Sequence, residues 1–159
     1  MGAVTDLDRW LRVVVERATA NVADGGGPFA ALVVRGEDLV AEGVNRVTRD
    51  LDPTAHAEVV AVRGACRELG THVLTGTVLV SSCEPCPLCL SAALWARVDG
   101  VVYAADRDDA ARGGFDDRAF YDLFDRPRES WDLPVRQVPV GGSAAPFEAW
   151  LAKADRVEY

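Results

Sequence analysis

The chain has 159 residues, 49% of them hydrophobic and 26% charged, enough for one globular domain with a buried interior and too few for two. Seventeen Lys and Arg against 25 Asp and Glu leave a formal charge of −8, which weighs against a surface that grips nucleic-acid phosphates. Near the amino end the longest apolar run is Val13-Val14-Val15, too short for a secretory signal or a membrane span, and four cysteines in such a chain predict a reducing, cytoplasmic setting.

Apolar residues at Leu7, Trp10, Leu11, Val14 and Ala18 recur at helical spacing, so residues 5–21 read as an amphipathic helix opened by a capping box at Thr5-Asp6-Leu7-Asp8. The glycines and proline of Ala23 to Pro28 break it. Phe29 to Val34 and Leu39 to Val44, joined by the turn Arg35-Gly36-Glu37-Asp38, predict a hairpin. A helix follows from Asp52-Pro53-Thr54 to Leu69 and stops at Gly70. Thr77 to Ser82 reads as a buried strand, Pro87 to Arg97 as a helix and Val101 to Ala105 as a strand. Asp106 to Gly114 is expected to be a site loop, Phe115 to Phe124 a helix, Val135 to Val140 a strand and Pro146 to Asp155 a final helix. Helices alternating with short strands predict an α/β fold, a three-layer α/β/α sandwich around a mixed sheet of about five strands.

Three of the four cysteines fall within seven residues, in Cys83-Glu84-Pro85-Cys86-Pro87-Leu88-Cys89. Cysteines at i and i+3 share one face of a helical turn, so Cys86 and Cys89 can ligate one ion. His56, at the start of the preceding helix, completes a three-donor set that suits Zn2+ and leaves a fourth position for a water of lowered pKa. Glu58, two residues on, points elsewhere and is placed to carry that water's proton. The pairing of His-x-Glu with Pro-Cys-x-x-Cys is a zinc deaminase signature. Taken singly, each residue has a plainer reading: His56 as an exposed helix-start residue, the cysteines as core thiols, Glu58 as a first-turn acid. Cys83 and Cys66 read as structural, and His72 as a loop residue.

The motifs resemble those of the cytidine deaminase superfamily, and more closely the short bacterial guanine deaminases. The resemblance runs through Gly27-Pro28-Phe29, Gly43-Val44-Asn45, Asp52 to Glu58, Ser82 to Cys89, Trp95-Ala96-Arg97, Tyr103-Ala104-Ala105, Gly114 to Asp117, Phe147 to Trp150 and Glu158-Tyr159. It implies one zinc per chain at His56, Cys86 and Cys89, and hydrolytic deamination of guanine to xanthine and ammonia by attack at C2, with Glu58 as proton shuttle. It further implies a pocket in which Asn45 hydrogen-bonds the base, Phe29 stacks on it and Ala57 lines it. Asp117, or its neighbour Asp116, handles the amino side. Trp95 forms a pocket or interface wall, and Tyr159 closes the pocket of a second copy in a homodimer whose carboxyl-terminal segment is swapped. Ala30 stands where such enzymes often carry glycine, which predicts an extra methyl at the pocket floor. Two alternatives stay open: a deaminase of another aminated ring (cytosine, cytidine, ammeline or a modified purine), and a structural zinc or iron–sulfur interaction module.

Overall fold

The computed structural model describes residues 6–158 and divides into two compact units, one up to Ala119 and one from Phe120. In the first, α1 (Leu7–Ala23) leads into the antiparallel hairpin β1 (Ala30–Arg35) and β2 (Asp38–Val44). A short α2 (Val47–Asp50) precedes α3 (Ala57–Leu69), β3 (Val78–Cys83), α4 (Pro87–Ala96), β4 (Gly100–Ala105) and α5 (Arg107–Arg112). The sheet order is β2-β1-β3-β4, with β1 antiparallel to both neighbours and β3 parallel to β4.

Side-chain alternation along β1 divides the core into two layers. Ala31 and Val33, with Leu79 of β3, pack against Ala57, Ala61, Val62 and Ala65 of α3 and Ala93 and Ala96 of α4. Ala30, Leu32 and Val34, with Val78 and Val80, pack against Trp10, Val14 and Ala18 of α1. This is the expected three-layer sandwich, with four strands among the described residues instead of about five. Val135 to Val140 forms no strand: its valines, Val135, Val138 and Val140, are exposed, so the β-prone run has neither a pairing edge nor a buried face to fix it.

The α3 layer lies close to the sheet because its contact stripe is alanine at every fourth position and β2 meets it with Gly43. A Cβ at Gly43 would stand 2.3 Å from the Ala57 carbonyl oxygen and 2.5 Å from the Ala61 nitrogen. Only glycine permits that approach.

Other boundaries also moved. Asp6, not Thr5, caps α1 by accepting the Arg9 N–H at 3.1 Å; Thr5 lies outside the described residues. The helix expected from Asp52 begins at Ala57, because Asp52 is spent on an Asx turn that accepts the Thr54 N–H and hydroxyl at 2.8 and 2.7 Å. The expected Asp106 to Gly114 loop holds α5, opened by a capping box in which Asp106 and Asp109 exchange side-chain-to-backbone bonds. Ala30 turns its methyl into the α1 layer, on the far side of the sheet from α3 and α4, so the expected crowding of the pocket floor does not occur.

In the second unit, which α6 (Arg118–Phe124) enters, a 3-10 turn at Arg128–Ser130 and α7 (Ala145–Ala152) are the remaining elements. Phe124 and Trp131 meet edge to face at 5.5 Å. No residue from 120 to 158 is buried. Among the described residues, no helix is long and apolar enough to cross a membrane.

Candidate active site

The first residues of α3 and α4 converge. His56 and Cys86 are the N-cap residues of these helices, both in extended backbone (φ −64°, ψ 149° and φ −67°, ψ 169°), and neither makes a side-chain capping bond. Their side chains turn instead toward each other and toward Cys89. The His56 Nδ1 lies 3.5 Å from the Sγ of Cys86 and 3.5 Å from that of Cys89, and the two sulfurs are 3.6 Å apart. A tetrahedral zinc, with bonds of about 2.3 Å to sulfur and about 2.0–2.1 Å to nitrogen, separates such donors by about 3.8 Å and about 3.6 Å. The three donor atoms therefore stand at the corners a zinc ion requires, and they are the group of this kind among the described residues.

Electrostatics points the same way. The hydrogen bond with Cys89 and the neighbouring His56 hold the Cys86 thiol far below its ordinary pKa. Cys89 is pushed upward by its hydrogen bond to Cys86, by burial and by the nearby Glu58 charge. Two thiolates side by side in a buried place repel each other, and a divalent cation between them removes that conflict. His56 is shifted upward by its bond to Cys86.

Glu58, buried in the first turn of α3, is fixed from two sides. Its Oε1 accepts the Ser81 hydroxyl at 3.1 Å, and its Oε2 lies 3.3 Å from the Cys89 Sγ. Ser81 faces Glu58 because it lies two residues beyond Leu79 on the α3 side of β3. Burial raises the Glu58 carboxyl above the usual carboxylate range, the direction that favours its taking up a proton.

The remaining candidates divide. Phe29, half-buried at the edge of the α3 core, meets Phe115 edge to face at 4.9 Å. Asn45 ends β2; its backbone N–H donates to the Phe29 carbonyl at 2.9 Å and its Oδ1 accepts the Val47 N–H at 3.3 Å. Ala57 is fully buried between His56 and Glu58. Asp116 serves its own helix: it accepts the Arg118 N–H at 3.1 Å and pairs with that guanidinium, which holds its carboxyl at about 2. Asp117 is different. Its Oδ1 is buried without a hydrogen-bond partner, and burial followed by the charge at Cys86 raises its pKa. Trp95 lies on the outer face of α4, 65% exposed beside Leu94, and is not gathered into the cluster. Tyr159 lies outside the described residues. Cys83 points away from the triad to the Asp106 carbonyl at 3.5 Å, with its thiol pushed up to about 11 by burial.

Ser81, the buried Asn21 and the Glu84–Arg107 pair went unread in the sequence, and Phe115, part of a quoted motif, was given no role there. Glu84 accepts the Arg107 N–H and Nε at 3.1 and 3.0 Å, tying the start of α5 to the metal turn. Asn21 carried a readable signal, a polar residue continuing the buried stripe Trp10, Val14, Ala18.

Residues 4–105 match the cytidine and deoxycytidylate deaminase zinc-binding region, and the chain belongs to that family. Its likeness to single relatives extends further. It is 45% identical to the guanine deaminase of Bacillus subtilis over 159 residues, the full length of both chains. The crystal structure of guanine deaminase from Bacillus subtilis aligns with a TM-score of 0.93 at 46% identity, covering 96% of this chain and 98% of that one. A guanine deaminase structure from Nitrosomonas europaea aligns at 0.67 and 37% identity, covering 74% of this chain and 68% of the other.

Proposed function

We propose that this zinc-dependent aminohydrolase converts guanine and water to xanthine and ammonia. One observation carries the reading beyond the family: a buried carboxylate oxygen without a partner, Asp117 Oδ1, near a zinc triad in a chain whose whole length resembles guanine deaminases. A buried acceptor of this kind is costly unless a ligand supplies the donor. The N1–H and 2-amino edge of guanine supplies donors that a carboxylate can accept in pairs.

Held by His56, Cys86 and Cys89, zinc would lower the pKa of a water in its open fourth position. Glu58 takes a proton and returns it to the ring nitrogen beside C2. Ser81 fixes which carboxyl oxygen is free for this task. As the bond from C2 to the exocyclic nitrogen breaks, the proton of the added hydroxyl passes to that nitrogen, which leaves as ammonia, while Asp117 orients the amino group by accepting a hydrogen bond from it. Asn45, its Oδ1 engaged by Val47, offers its amide hydrogens to an acceptor of the purine ring, while Phe29, backed by Phe115, covers the ring face and Ala57 lines the floor.

The reading extends to a homodimer whose carboxyl-terminal segment crosses between copies, with Tyr159 closing the partner's pocket. The exposed Leu133, Phe147, Leu151 and Val157 support it, because a segment with no buried residue of its own gains a core only by association. Trp95, with Leu88 and Leu94, suits an interface wall on the outer face of α4. Free thiols at Cys66, Cys83, Cys86 and Cys89 suit the cytoplasm.

Ammonia release from guanine, cytosine, cytidine, adenine and ammeline tests the assignment. Guanine is expected to turn over at least about a hundredfold faster than the pyrimidines, the discrimination open to a site that hydrogen-bonds its substrate. Turnover of a pyrimidine with none of guanine overturns it.

A further inference from the structure

Asn21 lies in the last turn of α1 and is 3% exposed, a polar residue at the end of an otherwise apolar buried stripe. Its side-chain amide spends both hydrogens on two separate segments. One goes to the Gly27 carbonyl at 2.8 Å, in the loop before β1, and the other to the Asn45 carbonyl at 3.0 Å, at the end of β2. Asn45 in turn donates its backbone N–H to Phe29. The two residues assigned to base recognition are therefore joined to each other and to one buried amide. Clearance on the other side is just as tight. A Cβ at Gly27 would stand 3.0 Å from the Asn45 Cγ and Oδ1, so the loop backbone forms a wall against that carboxamide.

We propose that Asn21 is a positioning residue for purine recognition, fixing the Asn45 carboxamide and the Phe29 ring relative to each other before substrate binds. The proposal rests on the guanine reading of the site. A general structural role would accept any side chain that fills the volume. This arrangement needs two donors at one place, because the two carbonyls face the same amide. Asn21 touches neither the zinc donors nor Glu58 in any hydrogen bond, so its effect falls on binding.

The test is a double-mutant cycle on the full-length, zinc-loaded enzyme, read as KM and kcat for guanine and as the Kd for 8-azaguanine. Asn21→Ala is expected to raise KM and Kd about tenfold, with kcat per zinc-loaded chain changing less than about threefold. In an Asn45→Ala background the same substitution should add less than about twofold, since the carboxamide whose placement against Phe29 it fixes is gone. Gly27→Ala reaches the Asn45 amide from the opposite side and should raise KM in the same way, which covers the case in which Asn21→Ala does not fold. Independent, multiplying effects of Asn21→Ala and Asn45→Ala overturn the proposal. So does a Gly27→Ala enzyme with unchanged KM and Kd. A wild-type chain that neither converts guanine nor binds 8-azaguanine overturns the substrate reading and this inference together; a wild type that does both, with a multiplying cycle, overturns the inference alone.

Discussion

The starts of α3 and α4 differ from those of α5 and α6 in what their polar residues do. Asp106 closes a capping box on α5, and Asp116 accepts an N–H at the start of α6 while pairing with Arg118. Their carboxyls are held below the ordinary range by backbone and side-chain hydrogen bonds. His56 and Cys86 hold the N-cap position that Asp106 holds in α5, and cap nothing. Nearby, Glu58 and Asp117 are shifted upward by burial. The N-cap position thus serves folding at α5 and is left free at α3 and α4, where its side chains turn to the metal site. The cost of an omitted cap is about 1 kcal/mol, and a metal ion held by the three donors offsets it when it binds the folded chain.

Substitution at the cap positions separates the two classes. His56→Ala or Cys86→Ala removes one of three donors, and zinc content is expected to fall from one per chain toward none, with turnover down by at least about a thousandfold. Retention of stoichiometric zinc by either variant, measured by atomic emission, would remove it from the donor set. Glu58→Gln keeps the shape of the first turn of α3 and should keep the metal while lowering kcat by about 10²- to 10⁴-fold, the range for general acid–base catalysis. Loss of zinc in that variant would instead move Glu58 among the ligands.

Asp106→Ala sharpens the contrast from the other side. It removes the α5 cap, so denaturant titration should show a loss of about 1 kcal/mol with zinc content and kcat preserved. A drop in zinc would mean that α5 supports the metal directly. The smallest effect concerns pH. The Asp116 carboxyl, held at about 2 by Arg118, stays ionised well below the usual carboxylate range. A depressed folded-state pKa contributes stability above the unfolded value and loses it as pH falls toward about 2. Carbon-detected NMR titration should place its midpoint below those of the unpaired surface aspartates; an ordinary midpoint would dissolve the pair.

Much of the site was legible because its chemistry is local. His56-Ala57-Glu58 and Cys86-Pro87-Leu88-Cys89 each sit within one helical turn, so spacing alone places their side chains. The strands of the first unit were legible from their apolar residues and from the turn Arg35-Gly36-Glu37-Asp38, and α3 from its stop at Gly70. What sequence could not supply were relations across the fold. Ser81 reaches Glu58 through strand register, and Asn21 reaches Asn45 across 24 positions. Ala30 fell on the opposite face from expectation because its side depends on the pairing of β1, which a one-residue shift reverses. Val135 to Val140 misled for a different reason: β-propensity acts only where an edge and a covered face are available.

Removing the metal separates a zinc-centred reaction from any other. The purified chain should form xanthine from guanine, lose that activity on treatment with a strong chelator, and regain it when one equivalent of zinc is returned. Undiminished xanthine formation by the metal-free protein would contradict the assignment of His56, Cys86 and Cys89 as the centre of the reaction.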